Sequence, residues 1–170
     1  MRARPTRRPT PETPGPGQES VWDYPRPPAL DPSDEHVVVE FAGRVIADTR
    51  RSIRVLETSH PPSYYLPSAD VDATVFVPSE RVTVCEFKGA AAYAHLVVGE
   101  ERSELACWWY PEPVPRYARL RDHVTFYPGR VGRCLVDGVP VSPSDGGFYG
   151  GWITPRVVGP FKGAPGSEWW

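Results

Sequence analysis

The sequence HVVVEFAGRVIAD, residues 36–48, decides the fold class of this chain. Val37, Val39 and Phe41 fall on one side of an extended strand, and the residues between them fall on the other side. Ala42-Gly43 then offers a tight turn into a second run of β-branched and apolar residues. This stretch therefore predicts a β-hairpin.

Short β-branched runs separated by turn residues continue along the chain. Asp137-Gly138 is a strong two-residue hairpin turn, and the one predicted helix is short, from Pro115 to Arg121. Roughly eight or nine strands at this spacing predict an all-β, mainly antiparallel domain. The other strand candidates are Arg44 to Asp48, Ser52 to Glu57, Ala73 to Val77, Arg81 to Phe87, Ala92 to Val98, Glu104 to Tyr110, His123 to Tyr127 and Arg133 to Val141.

The composition agrees with one β domain. The chain has 170 residues, of which 40% are hydrophobic, 22 are proline and 15 are glycine. This length allows a single core, and so many prolines and glycines favour turns over long helices. Lys and Arg number 19 against 21 Asp and Glu, so the formal charge of -2 produces no field that would attract a polyanion. Nucleic acid is not expected as a partner.

The two ends of the chain differ in composition from the middle. Residues 1–20 combine arginine with proline and hold almost no apolar side chains, which predicts a disordered tail. Residues 21–35 are interpreted as an extended, proline-rich lead-in, and residues 36–141 as the folded domain. Residues 142–170 are rich in glycine, proline and aromatic residues. We expect this extension to pack on the domain or on a partner subunit, the second case giving a homodimer.

The tripeptide Phe-Lys-Gly occurs twice, at residues 87–89 and again at residues 161–163. Three residues are too few to define an internal repeat. We interpret the second occurrence as chance.

Cysteine and histidine spacing predicts neither a metal site nor a disulfide framework. Cys85, Cys107 and Cys134 are an odd number at wide spacing, and no apolar secretory segment is visible. The histidines lack the close Cys or His pairs that hold zinc. No apolar run approaches the roughly 20 residues of a membrane helix. We therefore expect a cytoplasmic protein with reduced thiols, no metal, no cofactor and no membrane partner.

A polar and aromatic set in the middle of the chain is the candidate ligand site. Tyr64 and Tyr65 stand between prolines, in a predicted loop that places phenol groups at a cavity mouth. Arg54 and Glu57 are three residues apart, an odd spacing that sends them to opposite faces unless the strand ends or bulges between them. The alternative is that the aromatic residues only fill the core. The predicted ligand-binding residues are Arg54, Glu57, Tyr64, Tyr65, Lys88, Trp109 and Tyr110.

Cys85 and Glu57 are the candidate catalytic residues. Lys88 follows Cys85 by three residues, and a nearby ammonium lowers the pKa of a thiol. Glu57 is the candidate general base. The alternative for Cys85 is a small hydrophobic residue buried in a strand.

The joint order of several short motifs resembles a known bacterial family. The motifs are IADTRR at 46–51, RVLET at 54–58, HPP at 60–62, YYLP at 64–67, CEFKG at 85–89, Tyr93, WYPEP at 109–113 and FYP at 126–128. The family is catalogued as domain of unknown function 427 and is also called nucleotidyltransferase-like. The resemblance covers about residues 36–140 and implies a β-tent, a folded antiparallel sheet like that of Mss-four-type zinc domains.

The resemblance gives no reason to expect a metal ion or a particular reaction in this chain. The cysteine pairs that hold zinc in the related β-tent domains have no counterpart in this sequence, so a fold without the zinc site is expected. The close carboxylate pair with which a nucleotidyl transferase holds magnesium also has no counterpart.

Three functions are compatible with these patterns. In the first, the domain binds a small anionic or heterocyclic molecule in a pocket with aromatic walls. In the second, the protein is an enzyme that uses Cys85 or Glu57, with Arg54 or Lys88 stabilising a developing anion, or that has nucleotidyltransferase activity. In the third, the C-terminal extension serves assembly. The first function is the one we expect.

Overall fold

The computed structural model describes residues 8–146 and 149–170. In this part of the chain the regular elements are β-strands and short 3-10 helices. The strands are β1 Glu19–Ser20, β2 Ala29–Ser33, β3 Val37–Phe41, β4 Arg44–Thr49, β5 Ser52–Leu56, β6 Ser63–Pro67, β7 Phe76–Cys85, β8 Gly89–Val98, β9 Glu101–Trp109, β10 His123–Phe126, β11 Arg133–Val136, β12 Val139–Pro140, β13 Ser142–Pro143, β14 Trp152–Ile153 and β15 Val157–Val158. The 3-10 helices are Val21–Asp23, Ser68–Asp70, Ala73–Val75, Pro115–Leu120 and Pro128–Arg130.

Two antiparallel sheets form the domain. The large sheet has seven strands in the order β2-β5-β6-β10-β9-β8-β7, and the small sheet has four in the order β12-β11-β3-β4. The hairpin predicted at residues 36–48 is the pair β3 and β4, and Asp137-Gly138 joins β11 to β12. The prediction of a mainly antiparallel β domain is confirmed.

The large sheet is apolar on both faces. One face packs with the small sheet around a first core cluster, which includes Tyr64 and Phe126. The other face carries a second cluster, which includes Tyr65 and Trp108. Because successive side chains of a strand point to opposite faces, adjacent residues in the sequence belong to different clusters.

Two strands lie where the sequence predicted other structure. Residues 63–67 were expected to form a rigid loop but form β6, which pairs with β5 and with β10. Within the predicted lead-in, β2 pairs with β5 at the sheet edge, a position that tolerates Pro32 because an edge residue does not need its N–H for the ladder. The strands predicted over 73–77 and 81–87 largely join into one long strand, β7.

The N-terminal segment also differs from the predicted disordered tail. Residues 1–7 lie outside the described residues, but the Glu12 N–H donates to the Gly159 carbonyl at 2.9 Å. Strand β1 pairs in parallel with β15, and Val21 behind it is fully buried. The partner of this segment comes from the far end of the chain, so the local composition did not reveal the pairing.

The C-terminal extension packs on the domain of its own chain. Trp152 is fully buried, and its indole N–H donates to the Phe126 carbonyl at 3.0 Å. Its ring stacks on Tyr64 with the ring centroids 5.0 Å apart. The two ends of the chain are therefore parts of the folded body, where the structure describes them.

Candidate functional site

An open cavity of about 490 Å³ lies on the second-cluster face of the large sheet, and we call it the aromatic cavity. Strands β5 to β9 supply side chains to it, as do the turn between β7 and β8 and both terminal segments. The residues that line the cavity include Arg26, Glu57, His60, Tyr65, Cys85, Lys88, Tyr93, Trp108, Tyr110, Tyr127, Gly150 and Lys162.

Aromatic rings form the walls of the cavity. The Tyr65 and Tyr110 rings are stacked with centroids 6.2 Å apart, and Tyr65 meets Trp108 edge-on at 6.4 Å. Trp108 also contacts Tyr127 at a centroid distance of 4.5 Å. Such offset and edge-to-face contacts fix the rings in place and leave flat apolar surfaces with polar tips. A planar ring of a ligand would find stacking partners here.

The tyrosine hydroxyls of the walls are neutral donors. Burial raises the pKa of Tyr65 far above its ordinary value. Burial also raises the pKa of Tyr110, and the neighbouring Tyr65 adds to the effect. Both phenols therefore keep their protons throughout the neutral range and can donate hydrogen bonds, which suits an acceptor or an anion.

Lys88 is the buried cation of the cavity. The residue is only 8% exposed, and its Nζ lies 5.8 Å from the centroid of the Tyr110 ring. Among the described residues, no carboxylate and no hydrogen-bond acceptor pairs with this ammonium. The residue is held by its backbone, since the Lys88 carbonyl accepts from the Val114 N–H at 3.1 Å and Gly89 turns the chain with φ of 112°. A buried ammonium without an anion is costly unless a ligand supplies one.

Glu57, by contrast, already has cationic and polar neighbours. Its Oε2 lies 3.5 Å from the Arg26 Nε and 3.7 Å from the His60 Nδ1. Burial lowers the pKa of His60, and Glu57 opposes this effect without overcoming it. His60 is therefore neutral at pH 7, and its Nδ1 lies 2.9 Å from the Thr58 carbonyl, which it meets as a donor. Glu57 and Arg26 therefore offset each other's charge at this end of the cavity.

The three thiols differ in their access to the cavity. Cys85 is partly buried and lines the cavity, whereas Cys107 and Cys134 are buried in the first core cluster. Burial raises the pKa of Cys107 to about 12 and raises that of Cys134 as well. Both core thiols are therefore protonated at neutral pH and are inert small hydrophobic groups.

Arg54, a predicted ligand residue, lies on the opposite face of the sheet from the cavity and is fully buried. Its guanidinium donates to Asp31 Oδ2 at 2.8 Å and to Glu19 Oε1 at 3.1 Å. It also reaches the Tyr24 hydroxyl at 3.3 Å. Arg54 thus ties β5 to β2 and to the N-terminal segment. We call this set the Arg54 network.

Tyr64 and Trp109 do not line the cavity either. Tyr64 is opposite Arg54 in the sheet, and its hydroxyl donates to Glu35 Oε1 at 3.1 Å. Trp109 packs against the first core cluster and stacks on Phe76 at a centroid distance of 6.4 Å. The structure does bring together Glu57, Tyr65, Cys85, Lys88 and Tyr110, all predicted from the sequence.

Several lining residues were missed by the sequence analysis. Trp108 is two residues before Tyr110, so strand alternation places these two side chains on the same face and Trp109 on the other. His60 follows Glu57 at a spacing of three residues, which was a signal for a pair. Arg26 had no local signal, and the signal for Lys162 was the second Phe-Lys-Gly tripeptide, which we interpreted as chance.

In the described part of the chain, no group of three or more His, Cys, Asp or Glu side chains converges as metal ligands would. No helix there has the length and apolar character needed to cross a membrane.

Fold and site together define a class, a small antiparallel β domain with an open aromatic cavity that contains a buried lysine. Within that class, the chain belongs to the family described as a domain of unknown function (DUF427), which matches residues 29–137. The resemblance found in the sequence motifs is thereby confirmed. A search of curated proteins finds no match. The match contains Glu57, Cys85 and Lys88, whereas Arg26 and Lys162 lie outside it.

Proposed function

We propose that this domain binds a small anionic molecule with a planar aromatic or heterocyclic group in the aromatic cavity. The volume of about 490 Å³ lies within the range of small-molecule sites, roughly 300 to 1,000 Å³. The observation that carries the proposal is Lys88, a cation 8% exposed and without an anionic partner among the described residues.

The argument for an anion is electrostatic. An ammonium taken out of water loses hydration that the face of the Tyr110 ring replaces only in part. A carboxylate or phosphate of the ligand would restore that loss through a charge-assisted hydrogen bond. The neutral phenols beside it would donate to the same anion or to a ring acceptor.

The argument for a planar group comes from the walls. Tyr65, Trp108 and Tyr110 present faces and edges that are already fixed by mutual contacts. A rigid wall loses little freedom when a ring docks on it, so binding retains most of the stacking energy.

The test uses matched probes, 2-naphthoate and the neutral 2-naphthamide, titrated into the wild-type chain and into Lys88→Met by calorimetry at low ionic strength. We expect 2-naphthoate to bind the wild type at least about tenfold more tightly than the amide, and Lys88→Met to remove this preference. Equal binding of both probes by the wild type would refute the role of Lys88 as the anion-binding group.

A second candidate function is an enzyme, and the observation that favours it is that Cys85, Glu57 and Lys88 share one cavity. The rate of alkylation of Cys85 by iodoacetamide, measured from pH 5 to 9, distinguishes the two functions. A thiolate already present below pH 7 would support a nucleophile. A rate that rises only near the ordinary pKa of a thiol, about 8.5, would support a ligand-binding wall.

The finer architecture belongs to the same proposal. We propose that the two sheets form the β-tent-like fold that the sequence resemblance implies. What supports this is a seven-stranded and a four-stranded antiparallel sheet that share one core cluster.

A further inference from the structure

The chain contains only two lysines, Lys88 and Lys162, against seventeen arginines, and both lysines line the aromatic cavity. Each stands in the tetrapeptide Phe-Lys-Gly-Ala, at residues 87–90 and 161–164. Positive φ follows in both cases, 112° at Gly89 and 140° at Gly163. The repeated tripeptide, interpreted above as chance, therefore forms two lysine-bearing turns at one cavity.

Both turns are fixed against neighbouring backbone. The Val114 N–H donates to the Lys88 carbonyl, and the Lys162 N–H donates to the Ser59 carbonyl at 2.8 Å. The Lys162 turn therefore sits directly beside His60, which lines the cavity. The positive charge of Lys162 contributes to lowering the pKa of His60, as expected for a cation close to that imidazole.

No Asp or Glu side chain lies within ion-pair distance of Lys162 in the described residues, although its ammonium is close enough to Glu168 to help lower the pKa of that carboxyl. Its Nζ lies 5.5 Å from the centroid of the Tyr149 ring and donates to the Trp170 main-chain oxygen at 3.4 Å, a long contact. An ammonium has three donors, so this arrangement leaves capacity for an anion. Arg26, the other cation at this end, is engaged by Glu57 and by the Thr58 carbonyl.

We infer that Lys162 is a second anion-binding group of the aromatic cavity, so that the ligand is a dianion with one charged group at Lys88 and another at Lys162. This inference rests on the proposed function and restricts its ligands from anions in general to dianions. Lys88 lies within the family match, whereas Lys162 lies in the C-terminal extension. The extension would therefore restrict a shared cavity to ligands that carry a second negative charge.

The test compares aromatic acids with one and two carboxylates, in the pairs benzoate and terephthalate, and biphenyl carboxylate and biphenyl dicarboxylate. Two lengths are used so that one diacid can match the separation of the ammonium groups. Dissociation constants are measured for the wild type, Lys162→Met, Lys162→Arg and Lys88→Met, with the full chain.

We expect the better-matched diacid to bind the wild type about tenfold more tightly than its monoacid. Lys162→Met should abolish this ratio by weakening the diacid much more than the monoacid, while Lys162→Arg should keep much of the ratio and show that the extension remains folded. Lys88→Met should weaken both acids.

Three results would overturn the inference. If the wild type binds neither diacid more tightly than the corresponding monoacid, and Lys88→Met weakens the binding of both acids, Lys162 is not an anion subsite and the proposed function stands. The same holds if Lys162→Met leaves the ratio unchanged. If no acid binds the wild type, the proposed function fails together with the inference.

Discussion

Two buried cations on opposite faces of the large sheet behave in opposite ways. Arg54 is fully buried and donates to two carboxylates and a phenol of its own chain. Lys88 is nearly as buried but has no anionic partner in the described residues. A cation that is paired internally holds strands together, whereas one that is left without an anion lowers stability unless a ligand supplies that anion. The pairing of a buried charge, rather than its burial, separates the structural region from the proposed ligand site.

The largest expected effect is the loss of the Arg54 network. Arg54→Met should lower the free energy of unfolding by about 3 kcal/mol, because it leaves Asp31 without its cation and Glu19 with Arg156 alone. Their side chains are 30% and 41% exposed, which places the loss at the lower end of the range for buried pairs. Urea unfolding gives the value.

The matched control for that variant is Arg51→Met. Arg51 pairs with Asp70 at 2.9 Å, but its side chain is 66% exposed, so water screens the pair. We expect a loss below about 1 kcal/mol. Equal losses for Arg51→Met and Arg54→Met would mean that burial of the pair does not govern its contribution.

The next effect concerns the packing of the cavity wall. An added Cβ at Gly150 would lie 2.2 Å from the Trp108 ring, so Gly150→Ala must displace either the ring or the C-terminal segment. We expect a loss of about 1 to 3 kcal/mol in the free energy of unfolding, together with weaker binding of 2-naphthoate.

Gly129→Ala is the control for this packing effect. The added Cβ would meet only Pro143, at 3.5 Å, an ordinary contact. We expect a change within about 0.5 kcal/mol of zero. If Gly150→Ala were as neutral as this control, the fit of the C-terminal segment on Trp108 would not shape the cavity.

A smaller effect is the dependence of stability on pH that comes from His60. Burial holds the pKa of His60 below its unfolded value, so between the two values the unfolded chain binds more protons. Stability should therefore fall as pH drops through about 6.5, with a slope from this group of at most about 1.4 kcal/mol per pH unit. His60→Gln should lose this slope between pH 7 and 5. An unchanged slope in the variant would show that His60 titrates normally.

Much of the fold was predictable from the sequence because alternation and turn chemistry are local. The β3 and β4 hairpin and the Asp137-Gly138 turn follow directly from such patterns. Long-range pairing was not predictable, and β1 with β15 is the example, since neither two-residue strand carries a pattern of its own. Strand β6 was not predicted for a different reason, because the prolines that flank Tyr64 and Tyr65 are typical of a loop.

The candidate site was predictable in its residue types but not in its geometry. Glu57, Lys88 and Tyr110 reach the cavity because each lies just beyond a strand end, where a side chain can turn inward without breaking the ladder. Arg54 and Trp109 are inside strands, so the alternation of the sheet carries them to the other face. Strand alternation is a strict constraint. Because Trp108 is two residues from Tyr110, alternation places both side chains on the same face and would have identified Trp108 as a lining residue.

The most direct test of the central claim is the free energy of unfolding of Lys88→Met, measured without ligand beside Arg54→Met. If Lys88 is an unpaired charge kept for a ligand, replacing it with an apolar side chain of similar length should leave the stability unchanged or raise it by up to about 1 kcal/mol, while the preference for 2-naphthoate over 2-naphthamide is lost. A loss of about 3 kcal/mol, equal to that of Arg54→Met, would contradict the account, because it would show that Lys88 is a structural cation like Arg54.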